Sequence, residues 1–163
     1  MRRLLAALTA VLALAACSGD DKPEASAAPQ PTVSTPAPVL QTTKPKVTVP
    51  NGPAPTTLVK NDLILGTGAY VLPNVSVSVN YVGIHYKDGT EFDSSWETGH
   101  PLTFKAGNED VIAGWDEGVI GMRVGGRREL IIPPDLAYGD KGFGDTIAPG
   151  ETLVFVVDVV SVG

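Results

Sequence analysis

The chain has 163 residues, 14 prolines, a single cysteine and a formal net charge of −6. That length fits one modest domain with flanking segments. The acidic balance argues against nucleic acid as a partner, which needs a basic face, and one thiol leaves no intrachain disulfide. The chain opens MRR and continues through thirteen nearly uncharged residues, Leu4 to Ala16, before it reaches Cys17. This run is shorter than the roughly 20 residues that span a bilayer, whereas two arginines, a short apolar stretch and small residues describe an export signal. Residues 1–16 therefore read as a signal peptide.

The expected cleavage region LAAC, Leu14 to Cys17, resembles the lipobox of bacterial lipoproteins. In that motif the cysteine is acylated and becomes the mature N-terminus, which makes Cys17 an anchor and not a catalyst. The resemblance implies an extracytoplasmic protein attached to the bacterial cell membrane through Cys17 alone. Residues 17–55 hold nine of the 14 prolines and almost no large apolar residue besides Leu40. They read as a disordered Pro/Ala/Thr-rich tether, extended and solvated.

Residues 56–163 are long enough for a real core. They carry fifteen acidic and seven basic side chains, a net of −8, consistent with a solvated surface. Leu58 to Leu65 suggests a strand. Val75, Val77, Val79 and Tyr81 alternate with polar neighbours at the period of a half-buried strand. KDGT, Lys87 to Thr90, signals a hairpin and a returning strand over Glu91 to Ser94. Leu102 to Lys105 and Arg127 to Ile132 follow, the latter stopped by Pro133 and Pro134. Leu153 to Val160 is apolar on both faces except at Asp158, as a central strand requires. One helix is expected, with Asn108 as N-cap, Glu109 and Asp110 in its first turn, and Val111, Ile112, Trp115 and Val119 as its apolar stripe. These elements imply an α+β domain, an antiparallel sheet of five or six strands wrapped around one short helix.

Familiar catalytic signatures are absent from the sequence. GTG, Gly66 to Gly68, lacks the third glycine of a dinucleotide fingerprint, and there is no phosphate-binding loop or nucleophile elbow. His85 and His100 stand alone, without metal-site spacing, and read as surface or edge residues. The expected chemistry uses no nucleophile, metal or cofactor. What remains is a scatter of aromatic residues, Phe104 and Phe155 among them, whose default place is the core. Trp115 differs, because Gly114, Gly118 and Gly121 surround it on a helix that each glycine weakens by about 1 kcal/mol. Such glycines permit close approach of the sheet or of a ligand.

The blocks YVGIHYKDGTEFDSS, VIAGWDEGVIGMRVGGRRELIIPPDLAYG and LVFVVDVV, in this order, resemble the FK506-binding-protein (FKBP) type of peptidyl-prolyl cis-trans isomerase. The resemblance spans nearly all of residues 56–163. It implies a pocket of Tyr81, Phe92, Asp93, Val111, Ile112, Trp115, Tyr138 and Phe155, with Leu102, Phe143 and Ile147 at its margins. In that pattern Trp115 is the floor for a proline ring, the Ile112 N–H meets a ligand carbonyl, and Asp93 and Tyr138 orient the amide. The implied partners are unfolded or Pro-containing polypeptides and FK506- or rapamycin-type macrolides, bound by a monomer. Thr98 and Leu102 depart from the family's usual basic and aromatic residues, and the loop around Phe143, Thr146 and Ile147 is also unusual. The rival readings are a non-catalytic module that holds Pro-containing partners and a purely structural lipoprotein with a closed pocket.

Overall fold

A computed structural model describes residues 37–163, so the signal peptide, the lipobox and Cys17 lie outside the described residues. The chain forms six strands: β1 (Val59–Ile64), β2 (Ser76–His85), β3 (Glu91–Ser94), β4 (Leu102–Lys105), β5 (Arg127–Ile132) and β6 (Leu153–Val162). All pair antiparallel. The sheet runs β1-β5-β6-β2-β3, and β4 pairs with the first half of β2 while β3 takes the second half. Leu153 to Val159 is buried on both faces because β6 sits at the centre of this order. The expected α+β architecture is the one observed, with six strands and one main helix.

That helix, α2 (Ala113–Val119), packs on the inner face of the sheet and closes the core with Trp115 and Val119 against Val77, Leu130, Ile132 and Phe155. The close approach comes from missing side chains. A Cβ on Gly114 would collide with the Ile132 side chain, and one on Gly118 would lie 2.6 Å from Leu130 Cδ1. The sheet, not a ligand, occupies the space these two glycines leave. Gly121 serves differently, since nothing crowds it and its φ of +84° makes a turn after the helix.

The helix begins later than its sequence suggests. Asn108, expected to cap it, precedes it by several residues, and Ile112 occupies the cap position without a side-chain hydrogen bond. The reason lies inside the helix. Asp116 is buried, and its carboxylate accepts the N–H groups of Gly107 and Glu109, both at 2.8 Å, which holds 107–109 as a turn with Glu109 at φ +61°. A second helix, α1 (Ser95–Thr98), follows β3 directly and is capped by the Ser94 side chain.

The expected solvated tether gives way to a strap from residue 37 onward. Pro45, Val47 and Val49 face the sheet while Lys44, Lys46 and Thr48 face outward. Val47 and Val49 cover a second apolar cluster of Val82, Ile84, Ile131 and Val154 on the sheet's outer face. Side chains of the domain hold the strap's backbone: Arg127 donates to the Thr43 carbonyl at 2.9 Å, and the Tyr86 hydroxyl lies 3.2–3.5 Å from the carbonyls of Pro50, Gly52 and Pro53. Proline-rich chain is already extended and loses little entropy when it lies along such a face. Beneath the strap Arg127 also pairs with buried Asp158 at 2.6 and 2.9 Å. Burial raises the Asp158 pKa, and the guanidinium works against that rise.

Candidate active site

The two serines of DSS, Asp93 to Ser95, set the position of Tyr81. Ser94 Oγ donates to the Tyr81 carbonyl at 3.3 Å, and the Tyr81 N–H donates to Ser95 Oγ at 2.9 Å. The tyrosine ring then stands edge-on to the indole of Trp115, with centroids 5.0 Å apart. Phe155 meets the same indole at 5.2 Å, also edge-on, and Phe104 lies behind it at 5.7 Å. Gly83 on β2 makes room for this arrangement, because a Cβ there would sit 2.7 Å from Phe155 and 2.8 Å from Phe92. Perpendicular rings of this kind are favoured by their quadrupoles, by about 0.5–1.5 kcal/mol a pair beyond burial.

Above the indole lies a cavity of about 280 Å³. Tyr81, Phe92, Phe155 and Trp115 form its aromatic wall and floor, Val111 and Ile112 line the helix side, and Leu102, Asp93 and Tyr138 complete the rim. Asp110, which sequence reasoning did not select, also lines it. Trp115 is only 3% exposed, so the indole meets the cavity with a small part of its surface and supports the core with the rest. The remaining sequence-selected residues sit elsewhere. Phe143 is 61% exposed and packs at 5.1 Å against Tyr138, while Ile147 is buried in the core. Ile147 anchors the loop from below, bridged to Phe143, and does not line the cavity.

Asp93 is the polar centre of the site. Its Oδ2 accepts the Tyr81 hydroxyl at 2.6 Å. Burial first, and then this carboxylate, push the Tyr81 phenol well above its ordinary value. Tyr138 is raised in the same way, by burial and then by the charge of Asp93. Both phenols therefore remain protonated donors at neutral pH. Asp110 is held below the usual carboxylate range by the Asn108 amide and the Lys105 N–H, which places a second negative charge at the cavity mouth.

These features decide the chain's affiliation once they are set beside known proteins. The family model described as "FKBP-type peptidyl-prolyl cis-trans isomerase" matches residues 70–160, a span that contains every cavity residue from Tyr81 to Phe155. The chain belongs to the FKBP family. It is an enzyme of the peptidyl-prolyl cis-trans isomerase class. An FK506-binding protein of Streptomyces anulatus is 54% identical over 73% of this chain and 97% of its own length. A probable FK506-binding protein of Corynebacterium glutamicum is 49% identical over 72% and 98%. Among solved structures, AtFKBP13 matches with a TM-score of 0.62 at 36% identity, over 68% of this chain and 96% of that one. FkpA from Escherichia coli matches at 0.58 and 41%, over 66% and 48%.

Within this FKBP frame the departures noted in the sequence have local explanations. The Thr98 hydroxyl donates to the Ser95 carbonyl at 3.0 Å and closes α1. His100 is exposed, but His85 is buried, which corrects its reading as a surface or edge residue. His85 Nδ1 lies 2.8 Å from Glu151 Oε1, and its ring is 5.0 Å from that of Phe92. Glu151 also accepts the Ala148 N–H at 2.8 Å and faces Lys87 at 3.2 Å. One buried carboxylate thus ties the loop that carries Phe143 to the wall that carries Phe92. The two residues are 66 apart in the chain, and no spacing rule links them.

Burial pushes Glu151 up, but the Ala148 N–H, Lys87 and His85 outweigh it and hold the carboxyl below its ordinary 4.5. Its contribution to stability is therefore present above that pH and is lost as pH falls through the lower folded value. Glu151→Gln will cost about 1–3 kcal/mol at neutral pH, and urea unfolding will show the gap to the parent narrowing in acid. An equal gap at both pH values would contradict this reading.

Proposed function

We propose that this isomerase accelerates Xaa-Pro rotation in exported, unfolded polypeptides, using the aromatic cavity above Trp115 while acylated Cys17 holds it at the bacterial membrane. The observation that carries the catalytic part is the cavity itself, floored by indole and bordered by the Asp93–Tyr81 hydrogen bond. About 280 Å³ suits one ring and its neighbouring amide.

Rotation of the bond has a barrier of about 18–20 kcal/mol because amide resonance must break. Water stabilises the planar, more polarised amide better than the twisted one. A dry aromatic wall that contacts the proline ring in both states removes that bias and favours the twisted form. Spontaneous rotation takes tens to hundreds of seconds, so an ordinary turnover of about 10 per second requires a gain of roughly 3–5 kcal/mol. Loss of the carbonyl's water contributes about 1–3 kcal/mol of this. The rest is assigned to ring packing on Trp115 and to hydrogen bonds from the Tyr138 hydroxyl and the Ile112 N–H, with Asp93 setting the local field. No covalent step is involved. Macrolides of the FK506 and rapamycin type fit the same cavity as competitors of the peptide, and the active unit is the monomer.

The test is the full-length chain expressed in a lipoprotein-processing bacterium. Palmitate label should appear on the chain, vanish in Cys17→Ser, and accompany membrane fractions that speed a proline-limited refolding reaction. Absent label with faster refolding would remove the anchor alone. Label without faster refolding would remove the folding role.

A further inference from the structure

Exposed apolar side chains are unevenly placed on this domain. Of nine large ones among the described residues, two flank the pocket (Leu102 and Phe143), and the other seven lie in residues 39–40 and 63–72. These two stretches meet at one end of the sheet. Ile64, Leu65 and Tyr70 border a shallow cavity of about 200 Å³ together with Met122, Arg123 and Gly126. The strap enters beside them, with Pro38 against Gly68 and the Val39 carbonyl against Gly125. Leu65 and Val39 are each 78% exposed.

We propose that this apolar end rests on the lipid bilayer that holds Cys17 and turns the catalytic pocket away from the membrane. The inference rests on the anchoring reading above. Three observations select a bilayer as the occupant. The strap reaches this end at Pro38, and the twenty residues 18–37 separate it from Cys17, a span of at most roughly 75 Å. Charge at the patch is managed as an interface demands: Asp62 is paired with Arg128 at 2.7 and 3.0 Å, and Arg123 lies 4.6 Å above the Tyr70 ring while donating to the Thr67 and Gly68 carbonyls. An aromatic ring beside a cation suits the headgroup level, where amphipathic side chains keep polar tips wet. Finally, β1 and β3 are opposite edges of the sheet path, four strand spacings or roughly 19 Å apart. Phe92 and Asp93 on β3 thus face unfolded chains on the side away from lipid.

The test uses the mature chain, residues 17–163, whose only thiol is coupled to maleimide lipid in phosphatidylcholine nanodiscs that carry a trace of gadolinium-headgroup lipid. Amide signals of residues 63–72 should lose several-fold more intensity than those of residues 91–94 and 139–147. A Leu65→Ser/Leu72→Ser variant, folded by its remaining spectrum, should lose that contrast. Uniform broadening in the parent, or greatest broadening at the pocket, would overturn the proposal. So would sedimentation that shows the uncoupled chain dimerising through 63–72, since the occupant would then be a second copy. Because coupling is chemical, this outcome is independent of palmitate labelling in cells, which tests the anchor alone.

Discussion

Trp115→Leu will lower the stability of the domain by about 2–4 kcal/mol and remove most of its affinity for prolyl peptides. A residue that serves only as the floor for a proline ring predicts a loss of binding alone. The structure adds the first term, because the indole is nearly buried and meets Tyr81, Phe155 and Phe104 at 5.0–5.7 Å. Leucine fills part of that volume, so the cost falls somewhat below the 3–5 kcal/mol typical of truncation to alanine. Denaturant unfolding measures stability, and peptide titration at a temperature where the variant is folded measures affinity. Unchanged peptide binding in the folded variant would mean that the cavity floor is elsewhere.

Asp93→Val should leave the fold intact and lower kcat/KM by about tenfold. A hydrogen bond to a charged group contributes about 1.5–3 kcal/mol, and the lower end applies because Asp93 is solvent-exposed and screened. About 1.4 kcal/mol corresponds to a factor of ten. Spectrophotometric titration separates this effect from a packing defect. Tyr81 is raised by burial first and by Asp93 second. The stabilising contribution of its neutral form is complete below the ordinary phenol value of 10.0 and is lost as pH rises beyond it. Valine removes the part due to Asp93, so Tyr81 should ionise at lower pH than in the parent. A tyrosine titration identical to the parent's would show that the 2.6 Å contact does not govern this residue.

The strands were the most legible part of the chain. Leu102–Lys105 and Arg127–Ile132 fall where alternation and the Pro133-Pro134 stop placed them, since period and punctuation are local signals. The helix start is obscured because Asn108, Glu109 and Asp110 imitate a capped first turn, while the group that shapes this segment, Asp116, lies inside the helix and acts backward on the loop. The strap was hidden by its composition. Prolines mark a solvated segment unless a complementary apolar face exists, and that face is assembled from Val82, Ile84, Ile131 and Val154 on three separate strands. The pocket was legible only through resemblance. Its walls come from residues 81 to 155, and no periodicity brings Asp93 to Tyr81 or Glu151 to His85. Ile147 shows the limit of that transfer, since it lies in the core and does not line the cavity.

The measurement closest to the central claim is the cis–trans exchange rate of an Xaa-Pro peptide, followed by NMR, with residues 37–163 at catalytic concentration. The account predicts exchange that rises in proportion to enzyme, with a turnover per bound peptide about 10³ times the spontaneous rate, abolished by an excess of FK506 and reduced in Asp93→Val. Exchange at the spontaneous rate, while the peptide still perturbs the signals of Trp115 and Tyr81, would contradict it and leave a pocket that holds proline without turning it.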